Sequence, residues 1–326
     1  MIYVENNSLD PFFNFALEYY LLKELDLGEE IFLFWRTQPT LMIGRNQNTA
    51  EEINQGYVKE KNILVVRRIS GGGTIYTDPN GWQFSFIIKN KTTGDIDFRT
   101  FTAPIIKALT ELGIVAYFNN RNDILIEGKK FSGNAQYRDE KCVLHHGSIL
   151  FDTNLSELVK SITVSNDKII SKGIKSVRER VTNVIDHMDK KVNSVEFKEL
   201  MLASLLKNIN STYELTSKDK ERVTEIANEK FKQWNWNYGI SPKFNITKSN
   251  RFAGGKIEFN LNVNKGYIEQ CKIYGDFFCK GDVEVVSQSL VGCRYKEENI
   301  RAVIEDIQPA GFFYMIDADE LISCII

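Results

Sequence analysis

The sequence predicts an α+β protein in which a mixed β-sheet packs against helices and is followed by a small α/β domain at the C-terminal end. Short β-forming runs alternate with helical patterns up to about residue 150, without the strict βαβ rhythm of a doubly wound sheet. Two helical patterns follow at about 194–208 and 218–233. Beyond a Gly-Ile-Ser-Pro break at 239–242, Lys256–Val263 alternates apolar and polar residues, which is typical of a strand.

The break at 239–242 also marks a change of composition, so we place a domain boundary near residue 243. The larger domain then spans residues 1–243, and the smaller one spans residues 244–326. No internal repeat or low-complexity tract indicates a further division.

The first helix is marked by Asp10 and Pro11, a typical N-cap and first-turn pair, and is expected to run to about Leu25. Its Phe, Leu and Tyr residues fall on most faces, so we expect it to be well buried. Further along, Phe101–Leu112 has apolar residues at helical spacing and is ended by Gly113.

The strands of the larger domain are marked by short runs rich in β-branched and aromatic residues. They are expected at Ile31–Arg36, Thr40–Gly44, Ile63–Ile69, Trp82–Ile88 and Asp123–Ile126. His145 and His146 fall in another such run, which places them on opposite faces of a strand. No Cys, His or Glu spacing around them resembles a zinc site, so we expect core or hydrogen-bonded histidines.

Composition and charge describe an ordinary globular protein. The 326 residues are 43% hydrophobic and 26% charged, and the net charge of −2 leaves no basic footprint for nucleic acid as the principal partner. No apolar run approaches the roughly 18 residues of a membrane span, and the N-terminus lacks the pattern of a secretory signal. The five cysteines form no CxxC pair, which favours reduced thiols in a cytoplasmic protein.

Residues 67–76, RRISGGGTIY, place three consecutive glycines between two expected strands. Such a loop forms a concave set of backbone N–H groups that can approach an anion closely, although the two common phosphate-loop patterns are absent. Because side chains alternate along a strand, one of Arg67 and Arg68 is expected to reach a ligand and the other a structural partner. An ordinary hairpin turn or bulge is the alternative.

Two further segments contain basic residues that could face a ligand. RNDILIEGKKFSGNA at 121–135 places two lysines beside small residues, so that an ammonium can face a ligand; a solvated hairpin turn is the alternative. SKGIKSVRERVTN at 171–183 is basic in a slightly acidic chain, and it suits a loop that folds over an anionic ligand. A solvated surface is the alternative for that run.

Taken in order, these segments resemble the lipoate–protein ligase family, whose fold is related to biotin ligases and class II synthetases. The matching segments are 67–86, 121–137, 145–151 and 172–183, together with FNFALE at 13–18 and GRNQN at 44–48. The residues after 243 look like the small accessory domain of the long form of the family.

The resemblance implies an ATP-dependent enzyme that activates lipoate to lipoyl-AMP, releases pyrophosphate and transfers the lipoyl group to a lysine of a carrier. The implied carriers are a glycine-cleavage H-like protein or the lipoyl domain of a 2-oxoacid dehydrogenase E2. ATP, Mg²⁺ and lipoate are the implied ligands, with no tightly bound metal. A cationic lysine and glycine N–H groups would stabilise the negative charge that develops in such a reaction, and a lid would protect the reactive adenylate from water.

The resemblance also implies roles for individual residues. Lys130 is the implied catalytic residue, in contact with both the nucleotide and the lipoyl carboxyl group. The implied ATP-binding residues are Arg68, Gly73, Thr74, Ile75, Tyr76, Asp123 and Lys130, with Asp123 also a candidate Mg²⁺ ligand. The implied lipoate-binding residues are Trp35, Arg45, Ser70, Gly71, Gly72, Lys130, Gly133 and His146. The implied adenylate loop contains Lys172, Gly173, Ser176, Val177 and Arg178.

Trp35, Leu41 and Ile43 are candidates for an apolar tunnel around the lipoyl tail, which gains about 0.8 kcal/mol per buried CH₂, or for ordinary core. The sequence departs from the family pattern at Thr77, where His is common, and at 79–83 beside the nucleotide turn. These departures could alter the preference for the acyl group, the handling of the adenylate or the preference for the carrier.

The nearest alternative function is an octanoyl or lipoyl transferase of the same fold, which uses a cysteine thioester and no ATP. Cys142 is the cysteine near the expected site, although its surroundings resemble a strand more than a reactive-thiol site. Biotin ligation is a weaker alternative. A non-catalytic binding module is another, against which the presence of Lys130 and of the basic loop argues.

Overall fold

The structure is a computed structural model that describes residues 1–89, 96–119, 121–162, 179–238, 245–264 and 266–326. Lys172, Gly173, Ser176, Val177 and Arg178 of the expected adenylate loop lie outside the described residues, as does the expected domain boundary near residue 243. No helix within the described ranges combines the length and the apolar character that a membrane span requires.

The strands are β1 (Ile2–Glu5), β2 (Ile31–Trp35), β3 (Thr40–Ile43), β4 (Leu64–Arg67), β5 (Ile75–Thr77), β6 (Trp82–Lys89), β7 (Ala116–Phe118), β8 (Asp123–Ile126), β9 (Lys129–Arg138), β10 (Cys142–Ile149), β11 (Ser211–Glu214), β12 (Ile246–Phe252), β13 (Gly255–Asn264) and β14 (Tyr267–Gly275). The strands expected from the sequence therefore form within a few residues of their expected bounds. His145 and His146 lie in β10, as expected.

The α-helices are α1 (Pro11–Lys23), α2 (Thr49–Glu52), α3 (Gln55–Glu60), α4 (Phe98–Glu111), α5 (Leu155–Ser161), α6 (Ser194–Leu205), α7 (Ser217–Ile226), α8 (Trp234–Asn237), α9 (Val283–Leu290), α10 (Glu297–Asp306) and α11 (Ala318–Ile325). Asp10 caps α1 by accepting a hydrogen bond from the backbone N–H of Phe12, as its sequence predicts. Helix α4 begins three residues before the expected Phe101, because Asp97 provides its N-cap.

Among the described residues, eight strands form a mixed sheet in the order β11-β1-β2-β6-β10-β9-β8-β7. Strand β1 runs parallel to β11 and β2, and the other neighbours are antiparallel. Side-chain alternation along β2 sends Phe32 and Phe34 to one face and Leu33 and Trp35 to the other. Helices α4 and α6 cover the first face, and α1 and α7 cover the second, so the sheet lies between two apolar cores.

A smaller sheet lies beside the large one. Strand β3 is its centre, parallel to β4 and antiparallel to β5. The glycine loop, residues 68–74, joins β4 to β5, so the expected position of the glycines between two strands is confirmed. The far face of this sheet packs on its own core of Leu41, Ile43, Val65 and Tyr76.

The C-terminal residues form a third sheet, β12-β13-β14, with antiparallel neighbours. Helices α9, α10 and α11 pack against it around a separate apolar core that includes Phe259, Phe277 and Phe313. The segment that follows β14 reaches back to the glycine loop, since Gly72 N–H donates to the carbonyl oxygen of Phe277 at 3.0 Å.

Arg67 joins the small sheet to the residues around it. Its side chain is buried, and its guanidinium donates six hydrogen bonds of 2.6–3.2 Å. The acceptors are the carbonyl oxygens of Gly44, Arg45, Gln47, Trp236 and Asn237, and Thr49 Oγ1. Burial lowers the pKa of Arg67 to about 10, so the guanidinium stays charged at neutral pH. Of the two adjacent arginines, Arg67 is therefore the structural one.

Replacing Arg67 by lysine keeps the charge but leaves several buried carbonyl oxygens without a donor. We expect Arg67→Lys to lower the free energy of unfolding by about 3 kcal/mol, measured by urea denaturation. Arg121→Lys, at an exposed position of the same domain, is the matched control and is expected to change it by less than about 0.5 kcal/mol. Equal effects of the two substitutions would contradict a structural role for Arg67.

Candidate active site

A cavity of about 120 Å³ lies where the glycine loop meets the large sheet. Helix α1 and strands β2, β3, β6, β9 and β10 each contribute side chains to its wall, and Phe278 closes it from the C-terminal domain. Several residues expected to bind ATP or lipoate meet here. They are Trp35, Arg68, Gly72, Gly73, Thr74, Ile75, Lys130, Gly133 and His146.

Other expected site residues lie elsewhere. Arg45, Ser70 and Gly71 line a neighbouring cleft of about 560 Å³, called here the outer cleft, which opens between the two domains. Arg45 is also paired with Asp282 at 3.3 Å. Tyr76 is buried in the core of the small sheet, so its side chain does not face the cavity.

The glycine loop approaches two neighbours closely through main chain, Gly44 and Phe277. A Cβ on Gly44 would lie 1.8 Å from the carbonyl oxygen of Gly72, and a Cβ on Gly71 would lie 2.5 Å from that of Phe277. Gly72 has a φ of +89°, which L-amino acids with a side chain rarely adopt. Gly72 and Gly73 line the cavity, whereas Gly71 faces the C-terminal domain. The close approach expected of this loop is thus made partly to protein backbone.

Arg68 holds the loop in this shape. It is 5% exposed, and it donates to the carbonyl oxygens of Met42, Gly71 and Gly73 at 2.8–2.9 Å. Burial, together with the charge of Arg67, lowers the pKa of Arg68 to about 10, and it remains a cation at neutral pH. Because its partners are carbonyl oxygens, its positive charge at the cavity wall is not cancelled by them.

Lys130 and Asp123 form an ion pair beside the cavity, with Nζ and Oδ1 2.7 Å apart. They come from adjacent strands, β9 and β8. The side chain of Lys130 is 38% exposed, so the ammonium is fixed on one side and open on the other. Within the described residues, no group of three or more His, Cys, Asp and Glu side chains could hold a metal ion.

The two adjacent histidines have different surroundings, as their alternation predicts. His145 is fully buried among aromatic rings, and it lies within hydrogen-bond distance of Gln136 and Asn134. Burial holds its pKa well below the usual range, so it is neutral. His146 faces the cavity on the opposite side of the sheet and lies 2.6 Å from Ser70 Oγ.

The apolar wall of the cavity differs from the one expected. Trp35 lines it, but Leu41 and Ile43 pack in the core of the small sheet. Because neighbouring residues of β3 point to opposite faces, Met42 lines the cavity instead. Phe15 and Phe278 complete this wall.

Several polar residues of the site were not predicted from the sequence. Gln83, Asn122, Asn134 and Ser148 also line the cavity. Asn134 lies in the small-residue stretch beside Lys130, which was a usable signal. Phe278 had no such signal, because only the tertiary fold brings it to the cavity.

Cys142 lies outside the cavity wall. It is 3% exposed, and its Sγ donates a hydrogen bond to Asp139 Oδ1 at 3.0 Å. Burial and this hydrogen bond raise the pKa of the Cys142 thiol to about 11, so very little thiolate is present at neutral pH.

Two family models match the chain in succession. Residues 10–206 match the lipoyl protein ligase A/B catalytic domain, and residues 241–325 match the bacterial lipoate protein ligase C-terminus.

Named relatives and solved structures agree with these matches and with the expected fold. The chain is 42% identical to the lipoate-protein ligase LplJ of Bacillus subtilis over 331 residues, which covers 100% of each chain. The crystal structure of P. falciparum LipL1 in complex with lipoate is similar with a TM-score of 0.77 and 25% identity, over 93% of this chain and 94% of that one. A bipartite lipoate protein ligase from Thermoplasma acidophilum, described with its E2 lipoyl domain, has a TM-score of 0.65 and 26% identity, over 75% of this chain and 98% of that one.

Neighbouring glycines of the loop provide a matched test of its packing. We expect Gly71→Ala to lower the free energy of unfolding by about 1–3 kcal/mol, because its Cβ meets backbone of the C-terminal domain that cannot move aside.

Gly73→Ala is the control for this test. A Cβ on Gly73 would meet Asp276 Cβ at an ordinary contact distance of 3.7 Å, so a small change in stability is expected. Thermal unfolding of the two variants is the measurement, and equal stabilities would contradict the packing described.

Proposed function

The chain belongs to the lipoate–protein ligase family, and on this basis we propose that it attaches lipoate to a lysine of a carrier protein in two steps driven by ATP. In the first step, a carboxylate oxygen of lipoate attacks the α-phosphorus of ATP, lipoyl-AMP forms and pyrophosphate leaves. In the second step, the lysine nitrogen attacks the acyl carbon of lipoyl-AMP and AMP leaves.

The position of Lys130 is the observation that carries this function. Its ammonium lies at the edge of the cavity, held by Asp123 at 2.7 Å and open on its other side. The first step brings a carboxylate and a phosphate together, so negative charge builds up as the new bond forms. A cation that is already fixed in place stabilises that charge without having to reorganise. Arg68 adds a second, buried positive charge to the same wall.

We assign ATP to Arg68, Gly73, Thr74, Ile75, Tyr76, Asp123 and Lys130. Gly73, Thr74 and Ile75 support this assignment because they line the cavity, whereas Tyr76 can face the nucleotide only through its backbone. Mg²⁺ enters with ATP as part of the substrate. Asp123 suits this ion, because Mg²⁺ is commonly held by one or two carboxylates together with phosphate oxygens.

We assign the lipoyl group to the apolar wall near Trp35, with Gly72, Gly133, His146 and Lys130 around its carboxyl end. Their shared position on the cavity wall supports this assignment. For the remaining expected lipoate ligands, Arg45, Ser70 and Gly71, we propose a place at the outer cleft, where the acceptor lysine approaches.

We propose that Lys172, Gly173, Ser176, Val177 and Arg178 close over the adenylate. The segment that follows them supports this proposal, because Thr182 N–H donates to the carbonyl oxygen of Lys130 at 2.9 Å. The chain leaving this loop is therefore tied to the proposed catalytic lysine.

The acceptor is proposed to be an E2 lipoyl domain or a glycine-cleavage H-like protein. The E2 lipoyl domain described with the Thermoplasma acidophilum relative supports the first choice. We also propose that the catalytic and accessory domains divide near residue 243, which the start of the second family match at residue 241 supports. All five cysteines are free thiols, which supports a reducing, cytoplasmic setting.

An assay of both half-reactions tests the function and its nearest alternative. With lipoate and MgATP, we expect pyrophosphate and lipoyl-AMP; with a purified lipoyl domain or H-like protein added, we expect a carrier heavier by one lipoyl group. Octanoate in place of lipoate measures acyl preference.

Cys142→Ser separates a ligase from a thioester-forming transferase. Because Cys142 is buried and protonated, we expect this variant to keep ATP-dependent ligation within about threefold. Acyl transfer that needs no ATP and is lost in Cys142→Ser would establish the transferase instead.

Removal of the Lys130 ammonium tests the central assignment. We expect Lys130→Ala to slow lipoyl-AMP formation by about 10³-fold, because charge stabilisation in the first step is lost. Pyrophosphate release is the measurement.

Lys129→Ala, at the exposed neighbouring position, is the matched control and is expected to stay within about threefold of the unchanged protein. Undiminished pyrophosphate release by Lys130→Ala would show that the ammonium lies outside the reaction.

A further inference from the structure

A chain of hydrogen-bonding side chains passes through His146, and the two steps described above leave most of it without a role. Glu18 Oε1 accepts a hydrogen bond from Ser85 Oγ at 2.5 Å and lies 3.1 Å from His146 Nδ1. On the other side of the ring, His146 Nε2 lies 2.6 Å from Ser70 Oγ. Glu18, His146 and Ser70 are 1%, 7% and 1% exposed, so these contacts are shielded from water.

The carboxylate of Glu18, which can only accept, sets the direction of the hydrogen bonds at its end of this chain of side chains. Trp35 Nε1 donates to Ser85 Oγ at 2.9 Å, which leaves the Ser85 hydroxyl hydrogen for the carboxylate. Arg68 Nε donates to Ser70 Oγ at 3.2 Å, and the Ser70 hydroxyl hydrogen can then point to the imidazole. A carboxylate only accepts, so Nδ1 of His146 carries a hydrogen, and in the singly protonated ring Nε2 is the base that faces Ser70.

These hydrogen-bonded side chains also connect the cavity with the outer cleft. His146 lines the cavity together with Lys130, whereas Ser70 lines the outer cleft on the far side of the glycine loop. A proton that enters at Ser70 from the outer cleft can therefore pass to His146 Nε2.

The second step of the reaction needs such a base. An ordinary lysine has a pKa of about 10.4 and is an ammonium at neutral pH, so it has no lone pair with which to attack. The side chain of Lys130 is itself ion-paired with Asp123, and it suits charge stabilisation rather than proton removal.

We propose that Ser70, His146 and Glu18 form a relay that removes the proton from the acceptor lysine in the transfer step. The inference rests on the proposed function, and it assigns Ser70 to the contact with the amine, His146 to proton acceptance and Glu18 to positioning. The negative charge of Glu18 stabilises the imidazolium that forms, and its hydrogen bond holds the ring in the required tautomer.

The lysine ammonium gives one proton to Ser70 Oγ as the Ser70 hydroxyl proton passes to His146 Nε2. The freed lone pair forms the C–N bond, and the C–O bond to phosphate breaks with its electron pair on AMP. The second proton of the attacking nitrogen leaves to solvent through the outer cleft, and the amide and AMP remain.

Glu18→Gln tests the relay with little change of shape. Its Oε1 can still accept from Ser85 and His146, but the charge is gone. In the full-length protein with saturating lipoate, MgATP and lipoyl domain, we expect kcat for lysine lipoylation to fall about 10²-fold.

A second nucleophile separates proton removal from structural damage. Hydroxylamine is uncharged at neutral pH and needs no base, so we expect Glu18→Gln to form lipoyl hydroxamate within about threefold of the unchanged protein. Ser70→Ala interrupts the relay at its other end. Like Glu18→Gln, it is expected to lower the rate of lipoyl transfer to lysine relative to the rate of lipoyl transfer to hydroxylamine. This variant keeps the test valid if Glu18→Gln does not fold.

Ser85→Ala is the matched control, because it removes a hydrogen bond to the same carboxylate and leaves the charge. In this variant, the rate of lipoyl transfer to lysine relative to that to hydroxylamine is expected to be unchanged. Equal losses with both nucleophiles in Glu18→Gln and Ser70→Ala would overturn the relay and leave a structural network. Failure of the unchanged protein to form hydroxamate or lipoyl-AMP would overturn the proposed function itself.

Discussion

The close approach of main chain to main chain around the glycine loop is the constraint on which the site depends. A side chain at Gly44 would collide with the carbonyl oxygen of Gly72, and one at Gly71 with that of Phe277. These contacts place the loop against the small sheet on one side and against the C-terminal domain on the other. The remaining face of the loop then borders the cavity, where Phe278 supplies part of the opposite wall.

Buried positive charge is the second organising feature. Arg67 and Arg68 both donate to carbonyl oxygens, which satisfy their hydrogen-bonding capacity but bring no opposing charge. The nearby Glu18 offsets part of this charge, since it raises the pKa of Arg68 against the effects of burial and of Arg67. The charge of Arg68 that remains favours anionic ligands at one edge of the cavity, where Lys130 and Asp123 form an ion pair, while Trp35 and Met42 make another part of the wall apolar.

Local patterns predicted the elements well and the assignment of side chains to the cavity less well. Short runs rich in β-branched and aromatic residues located β2, β3 and β6, and the Asp10–Pro11 pair located the start of α1, because strand propensity and helix capping act over a few residues. The same patterns did not show which face of β3 borders the cavity, so Leu41 and Ile43 were candidates when Met42 is the residue there. Glu18 was visible only as part of a family motif, because its partners Ser85 and His146 lie 67 and 128 residues away in sequence.

The sequence by itself determined the order of strands and helices, the glycine loop between two strands, the placement of a lysine among small residues and the family resemblance. These features follow from neighbouring residues, whose spacing fixes backbone conformation and the alternation of faces. Only the tertiary structure decided that Arg67 is structural, that Gly71 meets backbone of the C-terminal domain and that Cys142 is buried away from the cavity. Each of these depends on which distant segments pack against a residue, and burial and hydrogen-bond partners are set by that packing rather than by local sequence.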